Sequence, residues 1–232
     1  MGISFLYMKE TRTVVIVAGG SGQRMGDKTP KQFLMLNGKP MLFYSLEIFK
    51  KFDPEIRIIV VLPESQFDTW KELCDEFDFN IKHELAIGGD ARFFSVKNGL
   101  QQAKGNGMVA IHDGVRPLVS LETIKNAFET ATSFGTGIPV VNVNESVREL
   151  TDKGNQIVDR KKLRLVQTPQ VFQATEIKKA YEQSYQSNFT DDASVYEMKG
   201  EPIYLSEGNW ENIKITRPVD LIFAEAILNK QD

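Results

Sequence analysis

Thr13-Val14-Val15-Ile16-Val17-Ala18 runs without a break into Gly19-Gly20-Ser21-Gly22-Gln23-Arg24-Met25-Gly26, and then into Asp27-Lys28-Thr29-Pro30-Lys31-Gln32. The first six residues are mostly β-branched and apolar on both faces, the pattern of a strand in the middle of a parallel sheet. The glycines after it let backbone N–H groups approach a phosphate or a base with no Cβ in the way. In open α/β sheets the ligand crevice lies at the carboxyl ends of the strands, which is where this loop starts. A tight strand-to-helix turn that holds nothing is the plainer alternative; Arg24, Lys28 and Lys31, all close behind, argue against it. A P-loop would need Gly-Lys-Ser/Thr after its spacer, and none is present. A dinucleotide fingerprint fits Gly20 and Gly22 but has Met25 where its third glycine belongs. The added positive charge suits a nucleoside triphosphate, or a phosphoryl transition state, better than a pyrophosphate held by backbone amides alone.

Outward from that loop the pattern repeats. Arg57–Leu62, Met108–His112 and Gly137–Val141 read as further buried strands. Met41–Lys51, Glu64–Phe77, Asp90–Ala103 and Leu121–Phe134 carry apolar residues at helical spacing between them, with Pro63, Asp90 and Ser120 as helix starts, the last two as caps. Alternating strand and helix predicts a three-layer, Rossmann-like α/β fold with a mostly parallel twisted sheet and right-handed crossovers. The alternation breaks at Ser146–Leu150 and Gln156–Asp159, joined through Thr151-Asp152-Lys153-Gly154-Asn155, which read as a hairpin too polar for the sheet. Such a hairpin is either a solvated surface feature or an arm whose edges a partner subunit covers. Helices at Thr175–Gln186 and Arg217–Leu228 and short strands at Pro202–Leu205 and Ile213–Ile215 complete the reading.

Composition narrows the function. The chain has 232 residues, 41% apolar and 25% charged, with 28 Lys and Arg against 31 Asp and Glu, a formal charge of −3. These values exclude disorder and argue against a dedicated nucleic-acid coat. One cysteine, Cys74, can form neither an intramolecular disulfide nor a Cys-rich metal site. No apolar stretch approaches the roughly 20 residues needed to cross a bilayer. Ile3–Tyr7 lacks the basic start and the cleavage site of a signal peptide, and Met8 offers a second start, so the expectation is a cytoplasmic protein with one domain over residues 8–232.

An acidic protein that sets Arg and Lys beside predicted turns at strand ends is expected to bind a compact anion there. Arg92, Arg116, Arg160-Lys161-Lys162 and Lys214 lie in such places, as Arg24 and Lys31 do. Asp113, at the end of the strand Met108–His112, stands where a Mg²⁺-bound phosphate would sit; a helix cap or a partner for Arg116 is the plainer reading. His112 is expected to face the other side of the strand and to pack. His83, Trp70 and Trp210 form no recognisable constellation, and no zinc-protease or nucleophile-elbow motif is present.

Six collinear blocks carry a resemblance. They are Ala18–Met25 with Pro30-Lys31-Gln32; Gly88-Gly89-Asp90-Ala91-Arg92 with Ser95-Val96; His112–Pro117; Gln167-Thr168-Pro169-Gln170; Thr190-Asp191-Asp192-Ala193-Ser194; and Asn212–Pro218. Together they resemble the sugar-phosphate nucleotidylyltransferases, and among these the 2-C-methyl-D-erythritol 4-phosphate cytidylyltransferase family. The resemblance implies transfer of a cytidylyl group from CTP to methylerythritol phosphate, with Mg²⁺, in non-mevalonate isoprenoid synthesis. It implies that Arg24 and Lys31 stabilise the charge developing on the α-phosphoryl group. It also implies that Ala18, Gly19, Gly20, Gly22, Gly89, Asp90 and Ser95 hold the cytidine, and that Asp113 orients the nucleotide or its Mg²⁺. Arg160 and Lys214 would grip the polyol phosphate, with Arg116, Ser146, Thr168 and Thr190 around it. In the family the hairpin reaches across a homodimer, which implies an arm over residues 142–164 and an Arg160 that acts in the neighbouring subunit's site. Ala18-Gly19-Gly20 where the family has Ala-Ala-Gly, Ser146 after Glu145 where it has a Thr after Asp, and Phe94 where an acidic residue is common are the departures.

Ribitol 5-phosphate is the competing acceptor, since related enzymes share most of these blocks. A nucleotide sensor without chemistry and a nicotinamide-dependent dehydrogenase are the other classes; the retained Lys31 and Lys214 tell against the first, and Met25 with its basic neighbours against the second. The expected chemistry needs no protein nucleophile or base, because the attacking phosphate is already an anion at neutral pH and catalysis reduces to alignment and charge neutralisation.

Overall fold

The structure is a computed structural model that describes residues 11–19 and 29–230. Strand β1 (Arg12–Val17) is followed by a two-stranded ribbon, β2 (Met35–Leu36) and β3 (Lys39–Pro40), and by helix α1 (Met41–Phe52). Then come β4 (Arg57–Leu62), α2 (Phe67–Glu76), β5 (Glu84–Ile87), α3 (Arg92–Gln102), β6 (Met108–Asp113), α4 (Leu121–Phe134) and β7 (Thr136–Asn142). The hairpin β8 (Val147–Thr151) and β9 (Gly154–Val158) interrupts the series. After it follow β10 (Arg164–Val166), β11 (Gln170–Gln173), α5 (Ala174–Ala180), α6 (Asp192–Glu197), β12 (Leu205–Glu207) and α7 (Pro218–Leu228).

The sheet runs β10-β7-β11-β6-β1-β4-β5, with β12 also paired to β7. β6, β1, β4 and β5 are mutually parallel, whereas β11 is antiparallel to both of its neighbours, β6 and β7. Side chains along each strand alternate between two helical layers. Val14, Ile16, Ile58, Val60 and Ala110 pack with α1, α2 and α4 through Leu46, Phe49, Trp70, Ala127 and Phe128. Val15, Ile59, Val61, Val109 and Ile111 pack with α3, α5 and α6 through Val96, Leu100, Ile177 and Val195. That double burial explains why these strands carry no polar face.

Gly99 shows how closely α3 lies on the sheet. A Cβ there would meet Val15 Cγ1 at 2.4 Å and Val61 Cγ2 at 2.9 Å, so no larger residue fits without moving the helix. Ser120 caps α4 by accepting from the Thr123 N–H, as its position implied. Asp90 does not cap α3: the helix begins after Ala91, with no side-chain cap. The stretch expected as one helix at Glu64–Phe77 starts instead with a 3₁₀ turn at Glu64–Gln66. Thr175–Gln186 is helical only through Ala180, and the last predicted strand pair is displaced: β12 begins at Leu205, and Ile213–Ile215 joins no sheet. The hairpin closes more tightly than expected, pairing Thr151 with Gly154, and among the described residues its two strands pair only with each other.

Candidate active site

β1 and β6 are neighbours in register, with Val17 opposite Asp113, so their carboxyl ends bring Ala18-Gly19 and the His112-Asp113 corner side by side. A third wall is the loop before α3. There Ser95 Oγ accepts from the Gly89 N–H at 3.0 Å and folds the loop back on its own helix. A Cβ on Gly89 would lie 2.4 Å from Phe94 Cβ, so this close approach requires glycine. The cavity enclosed is about 370 Å³, and Ala18, Gly19, Lys31, Gly89, Asp90 and Ser95 contribute to its lining. Beside it lies a second cavity of about 240 Å³, to whose lining Arg116, Thr168, Gln170 and Thr190 contribute. Arg92, Asp113 and Lys214 line both.

Asp113 is the hub of that shared wall. Its Oδ1 accepts from Arg92 Nε at 3.2 Å, and its Oδ2 lies 2.8 Å from Lys214 Nζ and 3.7 Å from Arg116 Nε. Burial alone would raise its pKa, but the three cations hold the carboxyl far below the usual carboxylate range. Arg116 is pulled the other way, its pKa lowered by burial against the attraction of Asp113. Thr168 ties the two cavities' floors together: its hydroxyl accepts from the Asp113 N–H at 3.1 Å and lies 3.1 Å from His112 Nδ1. His112 is fully buried and packs edge-on against Phe49, with ring centroids 5.2 Å apart. Burial pushes its pKa down to about 4, so the ring is neutral near pH 7 and serves packing and positioning.

The residues expected from sequence divide cleanly in space. Ala18, Gly19, Lys31, Gly89, Asp90 and Ser95 fall in the larger cavity; Arg116, Thr168 and Thr190 fall in the smaller; Asp113 and Lys214 stand between. Arg24, Gly20 and Gly22 lie outside the described residues. Ser146 and Arg160 line neither cavity of their own chain; Arg160 instead donates to the Asn144 carbonyl at the base of the hairpin. Lys214 sits outside any helix or strand, tied to the fold next door by the Ile215 N–H to the Val115 carbonyl at 2.9 Å.

The expectation that Asp113 ligates Mg²⁺ does not fit this geometry. Both of its oxygens face cations, and an incoming divalent ion would meet three positive charges within 4 Å of them. Among the described residues no group of three or more His, Cys, Asp or Glu could hold a metal. Arg92 was legible only as one cation among several, and Asp192, Tyr181 and Gln170 carried no assigned role. Asp192 lies one residue after the cap of α6, where Asp191 and Ser194 form a reciprocal capping box. That Asp-x-x-Ser spacing was the available signal for a helix start at this point.

A mostly parallel sheet covered on both faces, a glycine-rich sequence after its first strand and a cation-rich crevice in two chambers define a nucleotidyltransferase of the α/β class. Residues 12–230 match the family model for 2-C-methyl-D-erythritol 4-phosphate cytidylyltransferase, and the chain belongs to that family. A protein of that name from Bacteroides fragilis is 56% identical over 217 residues, covering 94% of this chain and 99% of its own. One from Bacteroides thetaiotaomicron is 52% identical with the same coverage. The crystal structure of 4-diphosphocytidyl-2C-methyl-D-erythritol synthase from Anaerococcus prevotii superposes with a TM-score of 0.80 at 26% identity, over 95% of this chain and 99% of that one. The 2-C-methyl-D-erythritol 4-phosphate cytidylyltransferase of Thermus thermophilus gives 0.77 at 27%, with the same shares.

Proposed function

We propose that the chain transfers the cytidylyl group of CTP to the phosphate of 2-C-methyl-D-erythritol 4-phosphate. A phosphate oxygen of the acceptor attacks the α-phosphorus, the bond to the β-phosphate breaks, and pyrophosphate leaves. The observation that carries this reading is the pair of adjacent cavities that share Arg92, Asp113 and Lys214. CTP occupies the larger one, its base held by backbone groups of Gly89 and Asp90 and its phosphates directed at Lys31. The acceptor occupies the smaller, beside Arg116, Thr168 and Thr190. Lys214 then lies at the junction, where it offsets charge on the two groups that must meet. Mg²⁺ entering with CTP would take its oxygens from the phosphates rather than from Asp113.

We also propose a cytoplasmic homodimer in which residues 142–164 form the arm and bring Arg160 and Ser146 to the partner's smaller cavity. Leu150 and Ile157 on the hairpin are 85% and 79% exposed, an apolar surface suited to burial against a second copy. No helix among the described residues is long and apolar enough to cross a membrane.

Pyrophosphate release from CTP, with methylerythritol phosphate and ribitol 5-phosphate offered in parallel, tests the reaction. Turnover with the first is expected; turnover with ribitol 5-phosphate alone, or CTP binding without release, would overturn it. Lys214→Ala and Arg160→Ala should both weaken acceptor use, read as a rise in KM for the polyol phosphate, and Lys214→Ala, at the junction of the two cavities, should lower kcat as well; a change confined to the KM for CTP would reverse the placement of the two substrates.

A further inference from the structure

We propose that Asp192 is a positioning residue for this transfer: it locks the Arg92 guanidinium as the partition between the two cavities and so keeps Lys214 seated on Asp113. The inference rests on the assignment of the cavities above. Asp192 is fully buried and lines neither cavity, so it has no direct access to substrate. Both of its oxygens are taken by one guanidinium, Arg92 Nη1 to Oδ1 at 2.8 Å and Nη2 to Oδ2 at 2.7 Å. The Tyr181 hydroxyl donates to Oδ1 at 2.6 Å. Two of the five Arg92 N–H groups go to Asp192, and a third, on Nε, goes to Asp113 Oδ1 at 3.2 Å; Lys214 holds the other oxygen at 2.8 Å. The result is a chain of alternating sign, Asp192, Arg92, Asp113, Lys214, that runs from the core to the shared wall.

The inner end of the chain is anchored firmly. Gln170 on β11 accepts from the Ala193 N–H at 2.8 Å and donates to Asp191 Oδ2 at 2.8 Å, which clamps the first turn of α6 to the sheet. A two-pronged guanidinium–carboxylate pair fixes orientation as well as charge. Without the Asp192 carboxylate the Arg92 fork would be able to turn onto both oxygens of Asp113, in competition with Lys214. The cation that faces both substrates would then lose its seat. Asp192 also offsets the Arg92 charge and fixes the direction in which Arg92 faces the two cavities that it lines.

The test uses the full-length chain with CTP and methylerythritol phosphate. Asp192→Asn, close in shape and without the charge, should lower kcat roughly 10- to 100-fold through misplaced alignment. The KM for CTP should change less than about threefold, since the base-holding loop is untouched. The second readout is a cycle with Lys214→Ala. If Asp192 acts through Lys214, the double variant is no slower than Lys214→Ala alone; if its role is merely structural, the two losses multiply. Tyr181→Phe removes one bond to Asp192 and keeps its charge, and should lower kcat about two- to fivefold with the same coupling. It carries the test if Asp192→Asn does not fold. Wild-type kcat in Asp192→Asn, multiplicative losses, or wild-type kcat in Tyr181→Phe where Asp192→Asn fails to fold would each overturn the inference. An inactive wild type would take down the functional reading and this inference together, whereas an active wild type beside an equally active Asp192→Asn removes only the inference.

Discussion

The two ends of the central strands carry charge in opposite styles. At the amino end Arg12 pairs with Asp53 at 3.1 Å, and Arg57 makes a fork on Glu84 at 2.5 and 2.6 Å. The shallow cavity there is lined by Arg12, Arg57 and Lys104 against Asp53, Glu55 and Glu84, three of each sign. At the carboxyl end one carboxylate, Asp113, is shared by three cations, and the larger cavity sets Lys31, Arg92 and Lys214 against Asp90 and Asp113. At the amino end the charges are matched pair by pair; at the carboxyl end, among the described residues, Asp192 holds Arg92 while Asp113 is shared by Arg92, Arg116 and Lys214. The same strands therefore carry separate pairs at one end and a shared cluster beside the cavities at the other, a distinction that a census of surface ion pairs would miss.

Removing the hub should break the contrast most severely. Asp113→Asn leaves three cations around a neutral amide, and loss of one partner from a buried ionic cluster typically costs about 3–5 kcal/mol. Denaturant unfolding would read it; a variant as stable as wild type would mean that the cluster is as well solvated as the pairs at the other end. Next, Lys31→Ala should lower kcat roughly 10²-fold or more, the scale for loss of one electrostatic stabiliser. Turnover at the wild-type rate would remove Lys31 from the machinery.

A pH titration sharpens the comparison further. The His112 pKa is lowered to about 4 by burial, while an unfolded His titrates near ~6.5. The unfolded chain thus takes up this proton first as the pH falls, so the stability is fully present above about pH 6.5 and declines toward pH 4. His83, also lowered by burial while its Nε2 accepts from the Trp70 indole N–H at 2.8 Å, adds to the same slope. His112→Asn should flatten part of that acid decline in urea midpoints measured across the window; an unchanged slope would assign it elsewhere. The smallest effect belongs to the amino end. Arg57→Ala should cost about 0.5–1 kcal/mol, the scale of a partly exposed pair, with pyrophosphate release unaltered. A tenfold loss of activity there would erase the division between the two ends.

Much of this was readable from the chain alone, for identifiable reasons. β4 and α4 match their predicted limits residue for residue, because Pro63 follows the strand, Ser120 caps the helix and Gly135 ends it in a left-handed turn. The central strands announced themselves by being apolar on both faces, and the division of Gly89, Asp90 and Ser95 from Thr168 and Thr190 followed the order of the blocks. β11 was not legible: it is four residues with glutamine at both ends, and only its insertion between β6 and β7 makes it a strand. Nor was the Arg92–Asp192 pair, whose partners stand 100 residues apart and meet through tertiary packing alone. Ile213–Ile215 has strand-like residues, yet one backbone bond to Val115 is its tie to that side of the fold, so local pattern overstated regular structure there.

The thin partition between the chambers has a pharmacological corollary. On the substrate placement proposed above, a small molecule that joins a cytosine-like head to an anionic polyol mimic would straddle Arg92 and Lys214 and engage each chamber with one end. When the tether matches the distance between sites, such bivalent ligands exceed either half by roughly 10²–10⁴ in affinity without any new contact. Inhibitor chemistry against this enzyme therefore gains more from spanning the divide than from improving the fit on one side of it.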